Sequence, residues 1–298
     1  MELTFMHMVL RPFTEGLTRA LRQPKLILLL WLTGLLVAAL LTLPATFAID
    51  AVALVLPQGE PDVLNNPAHQ TVFWELLIRE RAAFGKVFFS LLWILPLVWL
   101  WKVAYGVGLY HAFQGEGSGS FREGVARYWT KGLALSWRFV LLSGVVQVAL
   151  LIFFILLGFA MPNERTLFWL FAVIWPTLAL SVYSVIALCH DYGRATLVFN
   201  ASTPKDAFRL GLHFPFQHGD ASKLFLVWFG ITLVLGVLPN ALELFGGFSG
   251  PISSWIGLAA TQILLFLRAG AIVAWHGSNM VFYEASQFYT APLHKDSQ

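Results

Sequence analysis

The sequence predicts an all-α polytopic membrane protein with six transmembrane helices, and three features predict it. Of 298 residues, 58% are hydrophobic and only 12% are charged. Soluble chains run at about 45–50% apolar and about 25% charged. Six stretches are long and apolar enough to span a bilayer, each about 20 residues or more. These stretches are Leu-rich and do not alternate, so they read as helices and not as the ten-residue strands of a barrel. The mean hydropathy of +0.71 agrees.

Composition also excludes other classes. The pI of about 9.1 arises from a net charge of only +3, and no basic tract is present, so a nucleic-acid partner is not expected. The single cysteine, Cys189, cannot form an internal disulfide or a cysteine-based zinc site.

The first expected span runs from Lys25 to Ile49 and stays as an anchor, because its apolar run is too long for a cleaved signal core. The others run over Val87–Phe113, Trp137–Ala160, Thr166–His190, Leu224–Leu238 and Ile252–Phe282. The fifth is short, which calls for local bilayer thinning or an extension toward Leu242. Pro44, Pro96 and Pro176 lie within spans and are expected to kink them. Twelve Trp and seven Tyr suit interfacial belts.

Between the first two spans, Pro57–Pro61 reads as a loop. Residues 67–84 read as an external helix with Glu75 and Arg79 paired at i, i+4. The remaining external links are short and leave no room for a catalytic domain.

Orientation follows from the basic residues beside the spans. Thirteen lie on one side, among them Arg11, Arg19, Arg122, Lys131, Arg194 and Lys205. Four lie on the other: Arg79, Arg81, Lys86 and Arg165. Both termini are therefore expected in the cytoplasm, in the bacterial inner membrane.

The chain reads as a single integral membrane domain built from three pseudo-repeated helix hairpins, over 1–113, 114–191 and 192–283, with a cytoplasmic tail at 284–298. Phe13-Thr14-Glu15-Gly16-Leu17, Phe121-Arg122-Glu123-Gly124-Val125 and Pro204-Lys205-Asp206-Ala207-Phe208 open the units. Tyr110-His111-Ala112, Cys189-His190-Asp191 and Trp275-His276-Gly277 close their spans.

Each opening reads as a short amphipathic interfacial helix. Leu10, Phe13, Leu17 and Leu21 form the apolar face of the first; Phe121, Val125, Tyr128 and Trp129 that of the second. Phe208, Leu212 and Phe216 form that of the third. Thr203 is placed to cap this helix, Pro204 to take its first position and Pro215 to kink or end it. These helices are either elbows between spans or a surface for lipid or a partner.

Lys102 and Arg268 fall inside spans that contain no Asp or Glu. A cation at membrane depth costs at least about 2.5–3.5 kcal/mol. They are therefore candidates for an anion or lipid-headgroup site, against snorkelling or reversible protonation of Lys102 in transport. Arg194 is a third candidate for headgroup contact; it also has the i, i+3 spacing to pair with Asp191 as a clamp at a hairpin exit. His111, His190 and His276 are candidate metal ligands only if the repeat brings them together; each otherwise caps a helix end. Gly115–Ser120 lacks the Gly-Lys-Ser/Thr ending of a phosphate loop and reads as a link. No HExxH, Walker or kinase motif is present, and no cofactor is implied.

Three stretches carry a family likeness: Arg19-Ala20-Leu21-Arg22-Gln23-Pro24-Lys25, Asp191-Tyr192-Gly193-Arg194 and Pro204-Lys205-Asp206-Ala207-Phe208-Arg209. In these the chain resembles a group of bacterial six-span proteins similar to the membrane domain attached to some glycerophosphodiester phosphodiesterases. Similar sequences often read Asp-Tyr-Ala-Arg in the second stretch; Gly193 departs from that. The resemblance implies the topology. No soluble phosphodiesterase domain is present, so it carries over no catalytic residue.

The expected role is non-enzymatic: binding membrane lipid, or serving as a scaffold or accessory subunit beside other membrane proteins. The alternative is a small-solute or lipid transporter with a polar route past Lys102 and Arg268, lined by Gln147, Thr177, Ser181, Tyr183 and Gln262.

Overall fold

The computed structural model describes residues 2–53, 81–114, 120–160, 163–245 and 251–290, which are helical apart from short links and contain no strand. Six of the helices are long and apolar enough to cross a membrane. The chain is thus a multi-pass α-helical membrane protein. The expected loop at Pro57–Pro61, the Glu75–Arg79 pair, most of the 67–84 helix, the link at 115–119 and the tail beyond Thr290 lie outside the described residues.

Helix α1 spans Glu2–Leu21 and α2 Pro24–Ala53. The backbone turns between them at Gln23, whose N–H donates to the Ala20 carbonyl at 2.9 Å, and Pro24 takes the first position of α2. Helix α3 covers Arg81–Phe113. Helix α4 covers Phe121–Phe159 without a break. This corrects the reading of the second opening as a separate surface helix. No proline or turn signal lies between Phe121 and Trp137, so backbone hydrogen bonding continues straight into the span.

Helix α5, Glu164–Trp169, is capped by Asn163, whose side chain accepts from the Arg165 N–H at 3.0 Å. A π-helical turn at Leu170–Ile174 then leads into α6, Trp175–Phe199. The π turn ends just before Pro176, where the sequence predicts a kink. Pro176 has no N–H and its ring crowds the preceding turn, which the wider π turn accommodates.

Helix α7 spans Pro204–Gln217. Thr203 caps it as expected, its hydroxyl accepting from the Asp206 N–H at 3.2 Å, and the helix stops two residues after Pro215. Helix α8 runs from Gly219 to Phe245, past the expected end at Leu238, and α9 from Pro251 to Thr290.

The chain divides into two compact units. One comprises Met1–Leu28 with Val103–Gln298, the other Leu29–Lys102. The second holds most of α2 and α3, with Leu32, Leu36, Leu92, Trp93 and Leu97 among its exposed apolar residues.

In the first unit each long helix has two parts. Helix α4 is buried at Tyr128, Leu135, Ser136 and Phe139, then exposed or half-exposed from Val140 except at Phe154. Helix α6 is mostly exposed through Val185 and buried over Leu188–Cys189 and Ala195–Val198. Helix α8 is buried at Ala221, Leu224, Trp228 and Thr232 and exposed at Leu233. Helix α9 is exposed at Phe266, Leu267 and Arg268 and buried at Ala269, Val273 and Ala274. The exposed part of α4, Val140–Phe159, is roughly 30 Å long at 1.5 Å per residue, one hydrocarbon thickness. The helices therefore expose Leu, Val, Phe and Trp over about a bilayer's depth and pack against one another beyond it.

Small residues make that packing possible. Gly16 of α1 seats against Ser278 of α9, Gly124 of α4 against His111 of α3, and Gly211 of α7 against Gly193 and Cys189 of α6. Ala207, one turn before Gly211, is fully buried. Phe13 stacks on Trp228 at 4.7 Å, and the Trp228 indole donates to the Ser278 hydroxyl at 3.1 Å. Arg19, 6% exposed, ties three helices together. It donates to the Phe113 carbonyl at the end of α3 (2.6 Å), to Glu15 of α1 (2.9 Å) and to Glu284 of α9 (3.0 Å).

Two opening helices turn their small residues inward. Helix α1 buries Val9, Gly16 and Ala20 and leaves Leu10, Leu17 and Leu21 exposed. Helix α7 buries Ala207, Gly211 and Phe214 and leaves Leu210 and Phe216 exposed. Close backbone approach selects the small residues for the interface. The larger apolar residues then point outward.

Candidate functional site

A buried polar cluster forms where α3, α4, α6 and α9 meet. Asp191 and Arg194 lie one turn apart on α6, and their side chains pair at 3.4 Å with 14% and 13% exposure. Gly106 of α3 makes room for the arginine, since a Cβ there would stand 2.7 Å from Arg194 Nη1. The guanidinium also lies 3.2 Å from each ring nitrogen of His190. Those nitrogens point in divergent directions, so a single planar guanidinium reaches both by lying across the ring.

His190 Nε2 is 2.9 Å from the hydroxyl of Ser136 on α4. Its ring packs against Phe139 at 4.8 Å. His276 of α9 is close enough to His190, Asp191 and Arg194 to feel their charge. The His276 ring packs on Tyr110 of α3 at 5.4 Å. Asn279 donates weakly to the Tyr110 hydroxyl at 3.5 Å. Asn279 Oδ1 and the Tyr192 hydroxyl are buried without hydrogen-bond partners. Each such orphan costs about 1–3 kcal/mol.

Chemically, Ser136 and His190 sit at the distance of a nucleophile and its base. The third partner, however, is the Arg194 cation, where a hydrolytic triad places a carboxylate. Ser136 is also 1% exposed. The Ser136–His190 contact therefore ties α4 to α6 inside the packed helices.

The three candidate cations separate. Arg194 is held by Asp191 and His190, the clamp that its spacing allowed. Lys102 and Arg268 are each exposed and directly precede a buried residue, Val103 and Ala269. The Arg268 guanidinium lies over Gly236 of α8, where a Cβ would stand 3.2 Å from its Cζ. Both cations thus sit where exposed apolar helix meets packed helix, rather than deep within the apolar stretch.

The three histidines do not converge. His190 and His276 join the cluster, whereas His111 packs on Tyr128 at 5.8 Å and lies 3.9 Å from Glu123. Among the described residues no three His, Cys, Asp or Glu side chains are grouped to hold a metal ion.

Of the polar residues expected along a solute route, Gln262 has its Oε1 buried without a hydrogen-bond partner. Thr177 and Ser181 donate to the Val173 and Thr177 carbonyls of their own helix, and Tyr183 is 56% exposed. Gln147 donates instead to the Ala179 carbonyl across the α4–α6 interface at 2.9 Å.

Sequence reasoning did not identify Ser136 or Asn279, which belong to no motif and gain their partners only through helix packing. No protein-family model, curated protein or solved structure matches the chain.

Proposed function

We propose that this protein is a non-catalytic, lipid-interacting component of the bacterial inner membrane, with both termini in the cytoplasm and its packed helical end at the cytoplasmic headgroup layer. The observation that carries this reading is the exposed face of the two short amphipathic helices. Helix α1 presents Leu10, Leu17 and Leu21 beside Arg11 and Arg22, and α7 presents Leu210 and Phe216 beside Lys205 and Arg209, all exposed. Apolar residues flanked by cations suit insertion at the level of anionic headgroups.

Lys102 and Arg268 fit the same layer, because a cation at the edge of the hydrocarbon reaches phosphate without the cost of full burial. A scaffold role within a larger membrane complex is compatible with the same surface. The Thr177 and Ser181 hydroxyls are satisfied by carbonyls of their own helix and Tyr183 is exposed, which favours lipid binding over a solute pathway.

The test is native mass spectrometry of the protein released from vesicles of phosphatidylcholine with and without phosphatidylglycerol. Preferential retention of the anionic lipid is expected, reduced when Leu17, Leu21 and Phe216 are replaced by Ser. Equal retention of both lipids would overturn the reading.

A further inference from the structure

An open groove of about 310 Å³ runs between α4 and α6, walled by Leu142, Val146, Ser181, Val182, Val185 and Ile186. Two cross-helix hydrogen bonds bracket it. The Ser136–His190 contact closes one end at 2.9 Å, and the Gln147–Ala179 bond closes the other at 2.9 Å. The clamps lie roughly 16 Å apart along α4, and between them the groove walls run over Leu142–Val146 and Ser181–Ile186, roughly 6–8 Å of helix. The Ser181 hydroxyl is satisfied by the Thr177 carbonyl, so the walls are effectively apolar. The groove lies in the exposed part of both helices, open to whatever surrounds them.

At the end nearest the packed core, one turn before Leu142, stands Arg138. It lies on the same face of α4 as Leu142 and Val146, at i, i+4 and i+8. The side chain is half-buried, and of its three guanidinium nitrogens Nη1 alone is buried without a hydrogen-bond partner. No carboxylate pairs with it among the described residues. Side chains on a helix lean toward its N-terminus, so Arg138 leans away from the groove and toward the headgroup level.

We propose that the α4–α6 groove holds one acyl chain of an anionic phospholipid whose phosphate binds the Arg138 guanidinium. The inference rests on the lipid-interacting reading above and names the site. Its two parts match two parts of such a molecule: an apolar slot of about 310 Å³ for a stretch of acyl chain, and a cation with an unpartnered nitrogen one helical turn, about 5.4 Å, before Leu142. Arginine suits phosphate because its planar fork donates two parallel hydrogen bonds.

The experiment uses the full chain in detergent, titrated with phosphatidylglycerol and phosphatidylcholine and read by native mass spectrometry. Wild type is expected to retain one phosphatidylglycerol in preference to phosphatidylcholine. Arg138→Gln is expected to lose that preference by about tenfold, while Arg165→Gln, an exposed arginine at the start of α5 and outside the groove, keeps it. Val182→Phe, which fills the slot in its exposed part, is expected to lower retention of both lipids, and it carries the test should Arg138→Gln misfold. Inorganic phosphate is expected not to displace the lipid.

Wild-type preference in Arg138→Gln, wild-type retention in Val182→Phe, or displacement by phosphate alone would overturn the site while leaving the broader lipid reading standing. Absence of any preference in wild type would remove both.

Discussion

Gly211 and Gly193 meet backbone to backbone. A Cβ built on Gly211 would stand 2.6 Å from the Gly193 Cα and 2.7 Å from the Cys189 carbonyl oxygen. Neither of those is the movable end of a side chain, so a larger residue must push α7 away from α6. Gly211→Val is expected to lower stability by about 1–3 kcal/mol, the usual range for overpacking. Gly144→Ala is the contrasting variant, since nothing lies within 4 Å of a Cβ there. It is expected to be neutral or to gain up to about 1 kcal/mol from helix propensity. Thermal unfolding in detergent, followed by tryptophan fluorescence, checks both. Equal melting temperatures would show that the close approach does not hold the helices together.

Arg19 joins α1, α3 and α9 through the Phe113 carbonyl, Glu15 and Glu284. With 7% and 13% side-chain exposure, Arg19 and Glu284 form an ion pair largely removed from water. Removing one partner of such a pair typically costs about 3–5 kcal/mol, because the other charge stays buried without it. Arg19→Met is expected to destabilise by that order, and Arg19→Met combined with Glu284→Leu to recover part of the loss. Melting temperatures of the two single variants and the double variant measure the coupling. Additive losses would mean that the pair contributes nothing as a pair.

How far the architecture was legible depended on the type of signal. The spanning helices were legible because an apolar run of bilayer length has few other readings. The Thr203 cap and the Asp191–Arg194 pair were legible because both are local, set by a spacing of three residues. The merging of the second opening with its span was not, since an amphipathic stretch and an apolar one are equally helical and no breaker divides them.

The line between packed and exposed helix was also hidden. Leu135 and Leu197 are fully buried, whereas Leu141 and Leu180 are exposed. All four are leucines within apolar runs, and only tertiary packing distinguishes them. The Ser136–His190 contact joins residues 54 apart in the chain, beyond the reach of any spacing rule. The inward faces of α1 and α7 were hidden for a related reason. Hydrophobic periodicity points to the largest side chains, but these interfaces are made by the smallest.

That hidden line gives Lys102 and Arg268 a testable depth. Drawn to their longest apolar extent, the spans enclose both cations. The burial pattern instead places each at the last exposed position before the packed end of its helix. In the proposed orientation that position is the cytoplasmic edge of the hydrocarbon, where a long cationic side chain extends into water and phosphate. Single cysteines at 102 and 268, in a Cys189→Ala background, are therefore expected to react with a membrane-impermeant maleimide. The reaction should occur from the face that carries the N-terminus. Cysteines at Leu95 and Ile263, 59% and 61% exposed along the apolar stretches, are expected to react at least about tenfold more slowly, because lipid excludes both water and the reagent. Cys189 itself is 2% exposed, so its removal is a precaution against background labelling during partial unfolding. If positions 102 and 268 were as unreactive as 95 and 263, both cations would lie at true membrane depth. Each would then need a counter-charge from outside this chain, and their place at the headgroup layer would be lost.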